Sequence, residues 1–237
     1  MSMGCQLDRG MLAKLTDAVA ALNPSPRERR WTSLSFGIVD AVWSIGAHYD
    51  NVVVPLVRKR FAAEFGVTEP TIAASEPLPA DPLPLPKLEG LAVDSLTDMT
   101  NRQRTSTRGG ILKADAVLRH IAVFREHHVD SMQDALALFS DAERFARVDD
   151  ALRLIPGEGG YGVRRNYLWM LIGQDDLIKP DRMVLRWLGR QGVKTDPAGA
   201  RDIITAIVPL VSARLNRTVT AWEIDHALWL AGRKKAG

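Results

Sequence analysis

The stretch DDALRLIPGEGGYGVRRNYLWMLIGQDDLIKPDRMVLRWLGR, residues 149–190, sets two helical patterns on either side of a glycine-rich hairpin. Apolar spacing predicts helices over 142–154 and 163–172, and Lys179-Pro180-Asp181 opens another over 182–188. Glycines at 157, 159 and 160 permit positive φ and close backbone approach, and the helix after them begins with unpaired amides. With Arg164 and Arg165 close by, such a hairpin can hold a phosphate. A plain connection between two helices has the same composition, and for the hairpin alone it is the commoner outcome.

Outward from this stretch, helical periodicity dominates and convincing alternating strands are few. Leu7, Met11, Leu15, Val19 and Leu22 form one helical stripe, closed by Asn23 and Pro24. Further helices are expected over 33–47, 52–65, 112–127 and 132–139. Asp196 with Pro197 is an N-cap followed by proline at the first helical position, and Thr220 with Glu223 forms a capping box for the last helix, stopped by Gly232. Pro209 is expected to kink or divide its helix. Between Gly66 and Gly90 fall six of the thirteen prolines, which predicts an extended loop rather than a packed element.

Composition excludes several classes. No run approaches the ~18 to 20 apolar residues of a membrane span, and Asp8 and Arg9 stand where a signal peptide would be apolar, so a cytoplasmic location is expected. The single cysteine, Cys5, rules out disulfide frameworks, zinc fingers and cysteine-ligated iron–sulfur clusters. His127 and His128 are adjacent and point apart on a helix, so no transition-metal site is expected. Residues 1–152 hold 17 basic and 20 acidic side chains, whereas 153–237 hold 14 and 8. The C-terminal third is therefore the part suited to a polyanion, and Arg233-Lys234-Lys235 adds a short basic tail.

With its continuation, the hairpin resembles that of the helix-hairpin-helix DNA glycosylase superfamily, which includes endonuclease III and the adenine and alkylpurine glycosylases. Where that group has LPGxGxxTA, this chain has Ile155-Pro156-Gly157-Glu158-Gly159; the second helix closes in Gly173, and Asp181 is followed by Arg186 as the family's aspartate is by its arginine. SLSFGIVDAVWSIGAHYDNVVVPLVRKRF, 33–61, is similar to the family's early helix pair, Gly110-Ile111-Leu112-Lys113-Ala114 to its GxxxxKA helix start, and the final AWEIDHALWLAGRK to the helix that precedes the endonuclease III cluster. The resemblance implies hairpin contacts to DNA from Gly157, Gly159, Gly160, Tyr161, Arg164 and Arg165, with room for a monovalent cation there. The cluster cysteines are absent, and Tyr161 and Gly162 stand where the bifunctional branch has its Schiff-base lysine, so no iron–sulfur cluster and no β-elimination by that route are expected. Lys113 and Lys179 are the two lysines that could substitute.

The resemblance makes Asp181 the catalytic candidate, a carboxylate that stabilises positive charge on the deoxyribose and orients a water. From the residues alone it is an N-cap, a role compatible with catalysis. Asp40, inside an otherwise apolar run, is the second catalytic candidate, since an acid there is costly to bury unpartnered; an aspartate paired with an arginine is the other reading. Trp43, His48 and Tyr49 could form a stacking face or wedge for an extruded base. Trp169, Trp187, Trp222 and Trp229 have helical spacing suited to core.

The expectation is an all-α, two-domain protein: a barrel-like helical domain over 31–153, and a second domain combining 1–30 with 154–237. It would act as a monomer on double-stranded DNA, away from membranes, as a monofunctional glycosylase that releases a damaged, mismatched or modified base in base excision repair. The flipped nucleotide would enter a cleft between Asp40 and Asp181. Two other classes remain open: a non-catalytic DNA-binding protein on the same scaffold, and a helical protein-interaction module, which the basic C-terminal bias disfavours.

Overall fold

The computed structural model describes residues 8–234; Cys5, Leu7 and Lys235 lie outside them. The chain is predominantly helical, with one short two-stranded ribbon. It packs as two compact units, one of Met1–Arg27 with Gln174–Gly237, the other of Glu28–Gly173. The boundary falls after the helix that follows the hairpin, so hairpin and Asp40 share one unit and Asp181 belongs to the other.

In the discontinuous unit, α1 (Arg9–Ala21) starts at Asp8, whose carboxylate accepts from Met11 N. Leu15 and Val19 of the expected stripe are fully buried. They join α9 (Arg182–Arg190), α10 (Pro197–Leu215) and α11 (Ala221–Arg233) around a core that includes Val184, Leu188, Ile204, Ile207, Ile224 and Leu228. The Asp196 cap and the Thr220–Glu223 capping box are both formed. Pro209 does not divide α10, which runs unbroken past it. α9 and α11 approach so closely that a Cβ on Gly232 would lie 2.1 Å from the carbonyl oxygen of Met183. Arg27, at one end of the first segment, pairs with Asp175 at the start of the other (2.7 Å).

The continuous unit is built on α2 (Leu34–Trp43), every residue of which is buried. A helix apolar on all sides must be covered on all sides, and α5 (Lys113–Glu126) and α8 (Val163–Ile172) pack against it. The helix expected over 52–65 is replaced by two wider π-type segments, Tyr49–Val53 and Leu56–Phe61, meeting at Pro55 and running into a single turn, α3 (Ala62–Glu64). Pro55 has no N–H to donate, which disfavours one continuous α-helix. Further elements are α4 (Val93–Met99), α6 (Met132–Ala137) and α7 (Ala142–Arg153).

The proline-rich segment is packed, contrary to expectation. Its residues Thr71–Ala73 (β2) pair antiparallel with Arg29–Trp31 (β1), and Leu83, Leu85 and Leu88 are buried. Asp81 fastens it, accepting from the backbone N–H groups of Leu34 (3.1 Å) and Met132 (2.8 Å). Proline costs such a segment ladder donors but not apolar burial, so leucines alternating with prolines can still enter a core.

Candidate functional site

The hairpin between α7 and α8 presents its backbone outward. Pro156, Gly157, Gly159 and Gly160 are exposed, flanked by Leu154, 80% exposed, and Tyr161, 49% exposed. Gly157 requires its lack of side chain twice over: its φ is +100°, and a Cβ would lie 2.5 Å from Thr105. α8 starts at Gly162 in the left-handed conformation with no side-chain cap, so its first-turn amides face outward without a carboxylate on them.

The two arginines expected beside this backbone do not serve it. Arg164 is buried and its Nε donates to Glu158, itself buried in the hairpin. Burial opposes the charge on Glu158, but His120 and Arg164 outweigh it and hold the carboxyl below its ordinary range. Arg165 donates to Asp149 (2.9 Å), which also accepts from Trp169 Nε1 (2.8 Å). Both guanidiniums are thus committed to holding the hairpin's base, and the amides remain as its donors. A glutamate between two hairpin glycines was the signal available in the sequence: a charged residue buried in a turn must be met by a nearby cation.

Asp40 is fully buried, and its partner is not an arginine. Its carboxylate accepts from Trp31 Nε1 (3.0 Å) and the Tyr49 hydroxyl (3.0 Å) on one oxygen, and from Ser44 (2.9 Å) and Tyr167 (3.1 Å) on the other. Burial, and then the Asp40 charge, push both tyrosine hydroxyls far above their ordinary range, so they remain donors. No ligand reaches this carboxylate without displacing one of these groups. The expected stacking face does not form: Trp43 is fully buried with its Nε1 on Asn101, and Tyr49 is spent on Asp40, which leaves His48 as the exposed member of the three.

Lys113 is also internal. Its ammonium donates to the carbonyls of Trp43 (3.0 Å) and Ile45 (2.7 Å) and to Gln103 (2.9 Å), closing the C-terminal end of α2. Burial, then the nearby Arg164 charge, brings it down to about 8. A side chain so placed is a structural cap, not an accessible nucleophile.

In the discontinuous unit, Asp181 caps α9: Oδ1 accepts from Met183 N (2.7 Å) and Val184 N (3.3 Å). Oδ2 faces Lys179 Nζ at 3.8 Å, with the side chain 27% exposed. Lys179 lies 5.8 Å from the Trp229 ring centroid, and its backbone N–H donates to the buried Asp225 (2.8 Å). Burial raises the Asp225 carboxyl to about 7, against the pull of Lys179 and with a small push from Asp181. Arg186 donates to the carbonyl of Gly232 and so ties α9 to the end of α11. Trp169 and Trp187 are core as expected, whereas Trp222 and Trp229 are half-buried on one face of α11.

Among the described residues, no group of three or more histidine, cysteine, aspartate or glutamate side chains is placed to hold a metal ion, and no helix is long and apolar enough to cross a membrane. Residues 10–233 match the model of a family described as a domain of unknown function, DUF8548. No curated protein and no solved structure matches the chain.

Proposed function

Since the chain belongs to the DUF8548 family, whose description carries no activity, we propose from its own residues that it is a monofunctional DNA glycosylase of the helix-hairpin-helix kind, releasing an altered or mismatched base from double-stranded DNA. The observation that carries this reading is the order of three features. A helix, α7, ends in a hairpin with its glycine backbone exposed; α8 follows with an uncapped first turn; and the next helix, α9, begins on a partly exposed carboxylate, Asp181.

In this reading the amides of Gly157, Gly159 and Gly160 and of the first turn of α8 take a phosphate, which fixes register without reading sequence. Asp181 keeps Oδ1 on its helix cap and turns Oδ2 to the sugar, where positive charge grows as the N-glycosidic bond lengthens. Lys179 offsets the repulsion between that carboxylate and the phosphodiester in the ground state. Asp40 drops from a catalytic to a positioning role, as the buried hub joining α2, Trp31, Tyr49 and Tyr167. Arg164 and Arg165 hold the hairpin rather than the DNA.

The double cap on α9 favours a second reading, a DNA-binding protein without chemistry, in which Asp181 is only a cap. A panel of single-lesion duplexes, incubated with and without alkaline cleavage of abasic sites, separates the two. Alkali-dependent strand breaks on one or more lesions support excision; binding with no base release on any lesion supports the second reading. A borohydride-trapped adduct would instead implicate a lysine and refute monofunctional chemistry.

A further inference from the structure

One face of α11 carries an alternation of rings and cations that the excision chemistry does not use. Trp222, His226, Trp229 and Arg233 follow i, i+4, i+7, i+11 spacing, the repeat that places side chains in one row. Trp222 stacks on His226 with centroids 4.9 Å apart at 13°, and His226 on Trp229 at 6.0 Å and 17°. The Arg27 guanidinium lies 4.4 Å from the Trp222 centroid at one end, and that of Arg233 4.4 Å from Trp229 at the other. Lys179 approaches Trp229 as well.

Three properties set this row apart from ordinary packing. Both indoles are half-buried and neither belongs to the core that α1, α9, α10 and α11 share. The wider step, 6.0 Å between nearly parallel rings, reflects a gap or a lateral offset, and either leaves part of each ring face uncovered by the other. The unit itself is cationic, with 14 basic against 9 acidic residues, and three of its cations lie along the row.

We propose that this row is a binding platform for unpaired, single-stranded nucleic acid. Bases have flat faces that stack on indole and imidazole, and phosphates pair with guanidinium and ammonium groups, so a strand offers both complements in alternation. From Trp222 to Trp229 the helix rises about 10 Å, room for about three nucleotides at the ~3.4 Å stacking repeat. A base stacks on the half-exposed end of the row, while Arg233 moves from the Trp229 ring to a neighbouring phosphate. That exchange is favourable because base stacking on an aromatic exceeds an exposed cation–π contact. The platform does not rest on the glycosylase reading: a protein without base-excision activity could carry it, and an active glycosylase could lack it.

The test measures binding of the full chain to an oligothymidylate of about a dozen nucleotides and to an abasic chain with the same number of phosphates, by anisotropy with tryptophan fluorescence read in parallel. The expected result is about tenfold tighter binding to the strand with bases, accompanied by quenching. Trp229→Leu should remove most of that preference, whereas Trp229→Phe, which keeps a ring, should keep part of it. Equal affinity for the two chains overturns the platform and leaves general polyanion attraction. A base preference untouched in a folded Trp229→Leu variant also overturns it, because stacking would then occur elsewhere. The wild-type comparison needs no variant and stands even if Trp229→Leu fails to fold, and the lesion panel is scored separately, so loss of either activity leaves the other testable.

Discussion

Tyr167 on α8 donates its hydroxyl hydrogen to Oδ1 of Asp40 on α2 at 3.1 Å, joining positions 127 apart in the chain. With Trp31, Ser44 and Tyr49 it completes the set of neutral donors around a buried carboxylate. A hydrogen bond to a charged group contributes about 1.5–3 kcal/mol. Tyr167→Phe should therefore lower unfolding free energy by roughly that amount in denaturant titrations. Asp40→Leu should cost more, since it strands an indole N–H and three hydroxyls, and Asp40→Asn less, since hydroxyls can turn to accept from the new amide. A wild-type midpoint for Asp40→Leu would show that these bonds carry no stability.

Asp225 gives a pH dependence of definite sign. Its folded carboxyl sits at about 7 against 3.8 for the free group. Between those values the folded state binds the extra proton, so this group's contribution falls as pH rises from about 4 to 7 and reaches its full penalty above 7. The displacement corresponds to a penalty of roughly 4 kcal/mol. Asp225→Asn keeps an oxygen for the Lys179 N–H and removes the charge. It should be nearly neutral at pH 4 and stabilising at pH 8, as read from melting temperatures across that range. A constant difference at all pH values would place the proton elsewhere.

Asp181→Asn should abolish base release, by about 10²-fold or more, while leaving the melting temperature nearly unchanged, because asparagine also caps helices well. Duplex affinity should hold or rise with the loss of a negative charge near the backbone. Excision at the wild-type rate would reduce Asp181 to a cap.

The two hairpin glycines should respond differently. Both have positive φ, which costs a residue with a Cβ roughly 1–2 kcal/mol, but only at Gly157 would that Cβ meet another side chain, Thr105. Gly157→Ala should be the more destabilising, and Thr105→Gly should recover part of the loss. Gly159→Val should weaken binding to all duplexes alike. Equal stability of Gly157→Ala and Gly159→Ala would remove the Thr105 contact from the account.

What the sequence made legible follows a physical division. Elements fixed by local signals were readable: the Asp196 and Thr220 caps, the end of α8 at Gly173, and the Leu15–Val19 stripe all depend on residues within a turn or two. α4 was not foreseen, since its cap residue, Ala92, offers no side-chain bond and the segment before it is rich in proline. The arginines at 164 and 165 misled because sequence shows a charge but not its partner; Glu158 and Asp149 answer them from six and sixteen residues away. The indoles of α11 misled for a related reason. Helical spacing puts Trp222 and Trp229 on one face, but which face meets the core depends on where α9 and α10 pack.

The Arg27–Asp175 ion pair gives the chain's discontinuous unit a consequence for its biosynthesis. The continuous unit, Glu28–Gly173, is an insertion between the two segments that this pair clasps, so it emerges whole from the ribosome while α1 still waits for its partners. During that interval Leu15 and Val19 have no core to enter, because α9, α10 and α11 have not been made. α1 is thus the element exposed longest to chaperones and to misassembly, and the order of synthesis makes its docking against α10 a late event in acquiring the native state.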